Sequence, residues 1–414
     1  MTPARAKLNI REKNQSSTHQ HIPISVTWDQ AAAFRLGRHH LVERAAAKTL
    51  ISVAGDMGGA QAQLLSAAQI SLWTRVRGLR IADVEEALRE RTLVKASCMR
   101  RTLFLVPSHE LAIFALGAAR RAEKEVQWTL GRGVPERVVD AAIDAMLGAL
   151  DQPLTRPEIA ERVSRTLGVR RQAVHGGGWG RRSKIPAVPV GHLTFPVVDL
   201  LHLAGARGVV CYGPYRGNEP TFVRADAWIP RWQAVPREQA EGILLRRYLR
   251  SFGPATAADF AFWSGMTLTE ARQVWAREQA DFAPVDVEGW AAFVLQEDLD
   301  ELTQARFERP RVRLLPYFDT YLLGHKERHH LVSMEHHPKV YRAQGWIAPV
   351  VLVNGRVAAV WEHAREGNHL HVNVSKIESL SRRIIAGIRE EAQDLSRFLG
   401  TQSVDVQVGD IRSD

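Results

Sequence analysis

The sequence predicts a mainly helical α+β fold. Apolar residues recur at helical spacing through most of the first three quarters of the chain. Three of these helical stretches end in a pair of short strand-like segments, which is the helix–helix–helix–hairpin order of a winged helix. After about Arg309 the pattern turns to strands. At 414 residues the chain is too long for one ordinary domain, and with 45% hydrophobic and 24% charged residues it can bury several cores.

Residues 1–27 are rich in Lys, Arg, Gln, Ser and His without an apolar period, which predicts a disordered basic tail. The first unit, 28–134, begins helical at Trp28, with Leu36, Leu41 and Leu50 among alanines. A second helix runs from about Gln63 to Arg77, and a third begins at Ile81 with Val84 and Leu88 on one face. Leu93–Ser97 and Thr102–Val106 are strand candidates around the basic turn Met99-Arg100-Arg101. In the second unit, 135–236, helices are expected over about Pro135–Leu150, from the Thr155-x-x-Glu158 capping box to Gly168, and over Thr194–Ala204. Val209–Tyr212 and Thr221–Val223 then predict a hairpin. The third unit, 237–309, has a helix over Arg237–Ser251, a cap at Thr256, a turn at Gly265 and a second capping box at Thr267-x-x-Glu270, which is helix-turn-helix spacing. Phe282–Val287 and Trp290–Leu295 form its wing. In 310–414, Val312–Leu315, Ala348–Val353, Arg356–Trp361 and His369–Val374 read as strands, with Asn354-Gly355 suited to a type I′ turn. A helix over Ser379–Leu399 and a strand over Val404–Val408 complete a small β-barrel or sheet with one helix.

The 55 Lys+Arg against 45 Asp+Glu leave a formal net charge of +10, a balance that favours a polyanionic partner such as nucleic acid. The two cysteines, Cys98 and Cys211, exclude a disulfide scaffold and a four-cysteine metal site, and they fit a reducing cytosol. No apolar run approaches the roughly 20 residues of a membrane helix, and the N-terminus has no apolar leader core. A cytoplasmic location without membrane attachment is therefore expected.

The common catalytic signatures are missing: there is no Walker A loop, GxSxG elbow, HExxH or dinucleotide fingerprint. Gly176-Gly177-Gly178 reads as a flexible loop. The clusters His325, His329, His330 and His336, His337 do not have the spacing of a zinc site, so no metal ligand and no cofactor are assigned. Between Ser164 and Lys184 stand Arg165, Arg170, Arg171, Arg181, Arg182 and Lys184 without an acid, with Trp179 among them. This basic loop is either solvated or a phosphate contact with an aromatic wedge. Arg100 and Arg101, at the tip of the first wing, are candidates for backbone contact. Arg38 and His40 could reach phosphate or form a solvated face.

Four ordered motifs carry a family resemblance. Gly59-Ala60-Gln61-Ala62-Gln63 resembles the GxQAQ stretch of the AlkZ/YcaQ-like DNA glycosylases, and Met99–Leu103 resembles their wing, with Arg101 where glycine is common. Ser251–Phe260 with Trp263-Ser264-Gly265 resembles their third helix-turn-helix, and Leu314–Gly324 their LLPxFDxYLLG element. The likeness spans about Trp28 to Val408. It implies three tandem winged helices in a C-shape with a C-terminal β-barrel around duplex DNA, acting as a monomer. It also implies monofunctional removal of N7-alkylated purines, including unhooking of interstrand crosslinks, in repair or self-resistance. The catalytic pair it implies is Gln61 and Gln63, the Gln-x-Gln form of the AlkZ branch. A minor-groove hairpin is also implied, without a position in this sequence. Asp319 and Tyr321 of the fourth motif are expected either to contact DNA near the lesion or to brace the last domain.

Glutamine has no useful pKa and cannot act as a strong base. An N7-alkylguanine needs little of one, because it is already cationic and leaves as a neutral base. Two amide oxygens can hold the attacking water near the anomeric carbon and present dipoles to the oxocarbenium-like state. Residues i and i+2 share a side only on an extended segment, so the pair works as a pair if the helix starts no earlier than about Gln63. A neutral pair implies action on cationic lesions and none on uracil. Two other readings compete. One is a non-catalytic winged-helix DNA-binding protein or transcriptional regulator, which would not need Gln61-x-Gln63. The other is a metal-dependent nuclease using the histidines and Asp319, which EDTA would stop.

Overall fold

The structure is a computed structural model that describes residues 23–120, 124, 135–176, 183–190 and 193–410. In the first unit, helices Leu50–Asp56, Leu65–Trp73 and Ile81–Arg89 precede the antiparallel strands Leu93–Ser97 and Leu103–Pro107. The short strand Ala60–Gln61 joins them by pairing with Leu103–Pro107, so the hairpin becomes three-stranded. The third unit follows its sequence pattern closely. Arg237–Phe252 leads to Ala257–Ser264, Gly265 closes that helix in the left-handed region (φ 88°), and Leu268–Glu278 follows. The predicted cap at Thr256 forms, its side chain accepting from the Asp259 backbone N–H, and so does the predicted capping box at Thr267/Glu270. The wing Phe282–Val287/Trp290–Leu295 is antiparallel.

Four expectations need correcting. Residues 24–26 are not tail: Ile24–Val26 pairs in parallel with Phe282–Val287, and Thr27 caps the first helix. That helix, Trp28–Arg38, does not pack into the first unit. Its Ala31 and Phe34 share a core with Val285, Val294 and Leu302, and its buried Arg35 donates to the carbonyls of Phe252 and Pro254. An amphipathic helix shows which of its faces is apolar but not which core receives it.

The basic segment of the second unit is also more ordered than a loop. Between helices Arg156–Thr166 and Val197–Ala206 lies an antiparallel sheet of Gln172–Gly176, Ser183–Val190 and Leu193–Pro196. Pro186 and Pro189 in its middle strand argue against strand in a sequence reading. Helix Glu136–Ala149 and the hairpin Val210–Tyr212/Phe222–Arg224 complete the unit as expected.

The C-terminal strands form an open sheet and not a closed barrel. Val312–Leu315, Val350–Val353, Arg356–Glu366, His369–Lys376 and Ser403–Asp410 lie in that order, and the first and last do not pair. All pairs are antiparallel except the last, which is parallel because helix Arg382–Phe398 carries the chain back across the sheet. That helix buries Ile388, Leu395 and Phe398 against Trp361, Leu370 and Val372. A covered face has no need of barrel closure. The Asn354-Gly355 turn has both residues at positive φ, 47° and 82°, as a type I′ turn requires. Among the described residues no helix is long and apolar enough to cross a membrane.

Candidate active site

Gly58 and Gly59 end helix Leu50–Asp56 with two left-handed residues, φ 74° and 84°. A Cβ on Gly59 would stand 3.0 Å from Phe104, so the close approach also needs glycine. The chain then runs extended through Gln61, which faces Phe104 across the strand pair. Gln61 is 8% exposed, and its Oε1 accepts from Arg100 Nη2 at 3.3 Å. Gln63 is exposed, and helix Leu65–Trp73 begins only after it, so the pair precedes the helix as the shared-side argument requires. The two amides differ in environment: one is held inside, and the other opens to solvent.

Arg100 connects this pair to the third unit. It and Arg101 both take left-handed backbone, φ 55° and 60°, at the turn where the resembled wing carries glycine. Arg100 Nη1 donates to the carbonyl of Trp263, and a Cβ on Gly265 would come within 3.0 Å of the Arg100 backbone. The turn between strands Leu93–Ser97 and Leu103–Pro107 therefore lies against the corner between helices Ala257–Ser264 and Leu268–Glu278. Burial, with the Arg328 charge nearby, lowers the Arg100 pKa to about 10, so it stays a cation at neutral pH. Arg101 faces the second unit, where its charge acts on Asp199 and His202.

An open cleft of about 530 Å³ lies beside this junction. Arg100, Arg101 and Lys326 supply its charge, Phe262, Met266 and Leu268 its apolar wall, and no described acidic residue lines it. Gln61 stands behind Arg100 and not on the wall. Lys326, Phe262 and Met266 belong to no motif, and only the meeting of two distant segments reveals them.

The family profile described as "DNA glycosylase AlkZ-like" matches residues 54–398, a span that holds the Gln pair, the wing and the cleft. The chain belongs to the AlkZ-like DNA glycosylases. It is 31% identical to the interstrand DNA cross-link repair glycosylase of Streptomyces sahachiroi over 394 residues, 93% of this chain and 100% of that protein. The solved structure of the Streptomyces sahachiroi DNA glycosylase AlkZ superposes with a TM-score of 0.77 at 28% identity, covering 93% of this chain and 100% of that one.

The remaining candidates of this glycosylase-family chain are scattered. Arg170 and Arg171 are exposed just before strand Gln172–Gly176, and Lys184 is exposed opposite His175 on the paired strand. Arg181, Arg182, Trp179 and Gly177-Gly178 lie outside the described residues. Asp319 is 1% exposed and bonds Arg75 with both oxygens, at 2.7 and 2.8 Å. Tyr321 is buried too, its hydroxyl reaching the Gly355 carbonyl at 3.4 Å, and burial raises its pKa. Their polar groups are engaged inside the protein, which favours the bracing alternative over DNA contact. Arg38 bonds Glu301 at 2.7 Å and His40 bonds Asp56 at 2.9 Å. His325 is buried and pushed down to about 3 by desolvation, and His330 stacks on Trp28 with ring centroids 4.9 Å apart.

Proposed function

We propose that this protein is a monofunctional DNA glycosylase that hydrolyses the N-glycosidic bond of N7-alkylated purines, including bulky adducts and interstrand crosslinks. The observation that carries the proposal is the cationic, partly apolar cleft at Arg100, which holds no described carboxylate and backs onto Gln61. A site without an acid or a strong base suits a leaving group that is already cationic. The bond from the anomeric carbon to N9 breaks, N9 keeps the electron pair, and the alkylpurine leaves neutral. Water adds to the anomeric carbon and its proton passes to solvent. Arg100 fixes the Gln61 amide through one lone pair of Oε1 and leaves the other to accept from that water. Gln63 supplies a second acceptor from the solvent side. Positioning of this kind contributes on the order of 7 kcal/mol at best.

The cleft cations, with Arg170, Arg171 and Lys184 and the rest of the 165–184 segment, are read as phosphate contacts, and the strands on either side of 177–182 as the arms of the groove-probing hairpin. In the same reading the three helix–hairpin units are winged helices set around the duplex, and the protein acts as a monomer. The cross-link repair description of the Streptomyces sahachiroi relative supports the choice of lesion.

The test is incubation of the protein, in EDTA, with duplexes bearing one N7-methylguanine or one N7-guanine crosslink, followed by mild alkali. Strand cleavage at the lesion is expected, with none at uracil. Gln61→Ala should lower the single-turnover rate on the order of 10²-fold. Gln61→Ala/Gln63→Ala should lose less than the product of the two single effects, because they hold one water. Tight, salt-sensitive binding without cleavage would instead make the protein a non-catalytic DNA binder, and cleavage abolished by EDTA would point to a metal-dependent nuclease.

A further inference from the structure

The outer face of the C-terminal sheet carries a cluster with no part in the chemistry above. Along strand His369–Lys376, Leu370, Val372 and Val374 point into the core under helix Arg382–Phe398. His369 and His371 therefore share the opposite face. In the parallel pairing His371 lies opposite Asp405 and His369 opposite Ser403, while Glu366 on the preceding strand lies opposite His369.

The side chains converge. His369 Nε2 and His371 Nδ1 stand 2.7 and 2.6 Å from the same oxygen, Asp405 Oδ1. The far nitrogen of His369 is held as well, with Nδ1 2.7 Å from Ser403 Oγ, while His371 Nε2 points toward an exposed Glu366 oxygen 3.4 Å away. The outer hydrogen bond to Ser403 fixes the His369 tautomer and aims its other nitrogen inward, as a metal-bound histidine requires. One ligand atom from each of His369, His371 and Asp405 lies within 4.8 Å of the others, and this is the only such group of three among the described residues. Among the described residues no Lys or Arg forms an ion pair with Asp405; its partners are the two imidazoles.

We propose that His369, His371 and Asp405 bind a divalent transition-metal ion, zinc by preference, with water as the fourth ligand. Two imidazoles and a carboxylate are a zinc donor set, and tetrahedral bonds of about 2.0–2.1 Å set ligand atoms roughly 3.3 Å apart. The present contacts reach that spacing by opening less than 1 Å, which half-exposed side chains do by small rotations. The ion would clamp the last strand, Ser403–Asp410, to its one neighbour in the sheet. It is a structural site, independent of the proposed glycosylase chemistry, which should proceed in EDTA.

The experiment is calorimetric titration of the tag-free full chain with zinc chloride after EDTA stripping and dialysis, with cobalt absorption spectra alongside. One strong site is expected. His371→Ala and Asp405→Asn should each weaken it at least tenfold, while His336→Ala should leave it unchanged. Zinc should raise the melting temperature of the wild type and not of His371→Ala. Circular dichroism in EDTA should show each variant folded; if His371→Ala is not, His369→Gln makes the same comparison. Absence of zinc binding by the wild type overturns the proposal. So does undiminished affinity in the folded variants, which would put the ion elsewhere, for example on His19 and His21 of the N-terminal segment.

Discussion

Asp319 accepts four hydrogen bonds in the interior: two from Arg75, one from Ser71 Oγ and one from the Tyr321 backbone. A buried carboxylate so fully occupied has no capacity left for a ligand, and its charge is matched by a guanidinium that is itself inaccessible. Asp319→Asn keeps the shape and leaves Arg75 without a counter-charge. The expected loss is about 3–5 kcal/mol of unfolding free energy, measured by urea denaturation. Gln61 is the opposite case. Its buried amide takes one long bond from a half-buried arginine, so it keeps an acceptor position to offer.

The third unit shows how much one corner can decide. Gly265 must be left-handed to end helix Ala257–Ser264, and it must also lack a Cβ where the first wing's Arg100 lies against it. Gly265→Ala meets both penalties. Gly78 is likewise left-handed (φ 67°) but would have nothing within 4 Å of an added Cβ, so Gly78→Ala meets only the first, about 1–2 kcal/mol. Thermal melting of the two variants should show the larger loss at Gly265. If the losses are equal, the contact between wing and corner is not tight. The same comparison explains what was readable here. The Thr256 cap, the Thr267/Glu270 capping box, the Gly265 turn and the Asn354-Gly355 hairpin depend on neighbours a few residues away, and all four are visible in the sequence. The sheet over 172–196 was not, because prolines and a glycine run interrupt its alternation.

Across the whole molecule, buried histidines set an acid limit. His39, His325 and His330 are each held well below the ordinary imidazole pKa, in every case chiefly by desolvation and then by nearby cations, with Asp259 pulling the other way at His325. The unfolded chain takes up these protons near pH 6.5, whereas the folded chain resists them down to about 3 at His325. Between those values the unfolded state binds more protons, so stability falls as pH falls. Urea midpoints should decline from pH 7 to pH 5, and His330→Gln should lose part of that slope. A flat profile would mean that these rings take up protons in the folded state.

By itself the sequence determined the family, most helices and hairpins outside 172–196, and the Gln61-x-Gln63 pair. These rest on spacing, capping and turn chemistry, which act over a few residues, and on four motifs in order. The tertiary structure decided which residues meet. It brought Arg100 to Gln61 and to Trp263, withdrew Asp319 onto an arginine 244 residues away, and took the first helix into another unit's core. It also set His371 opposite Asp405 and His369 opposite Ser403, a meeting of two strands that no local spacing encodes. Burial and partner choice depend on contacts far apart along the chain, and no local pattern of residues encodes them.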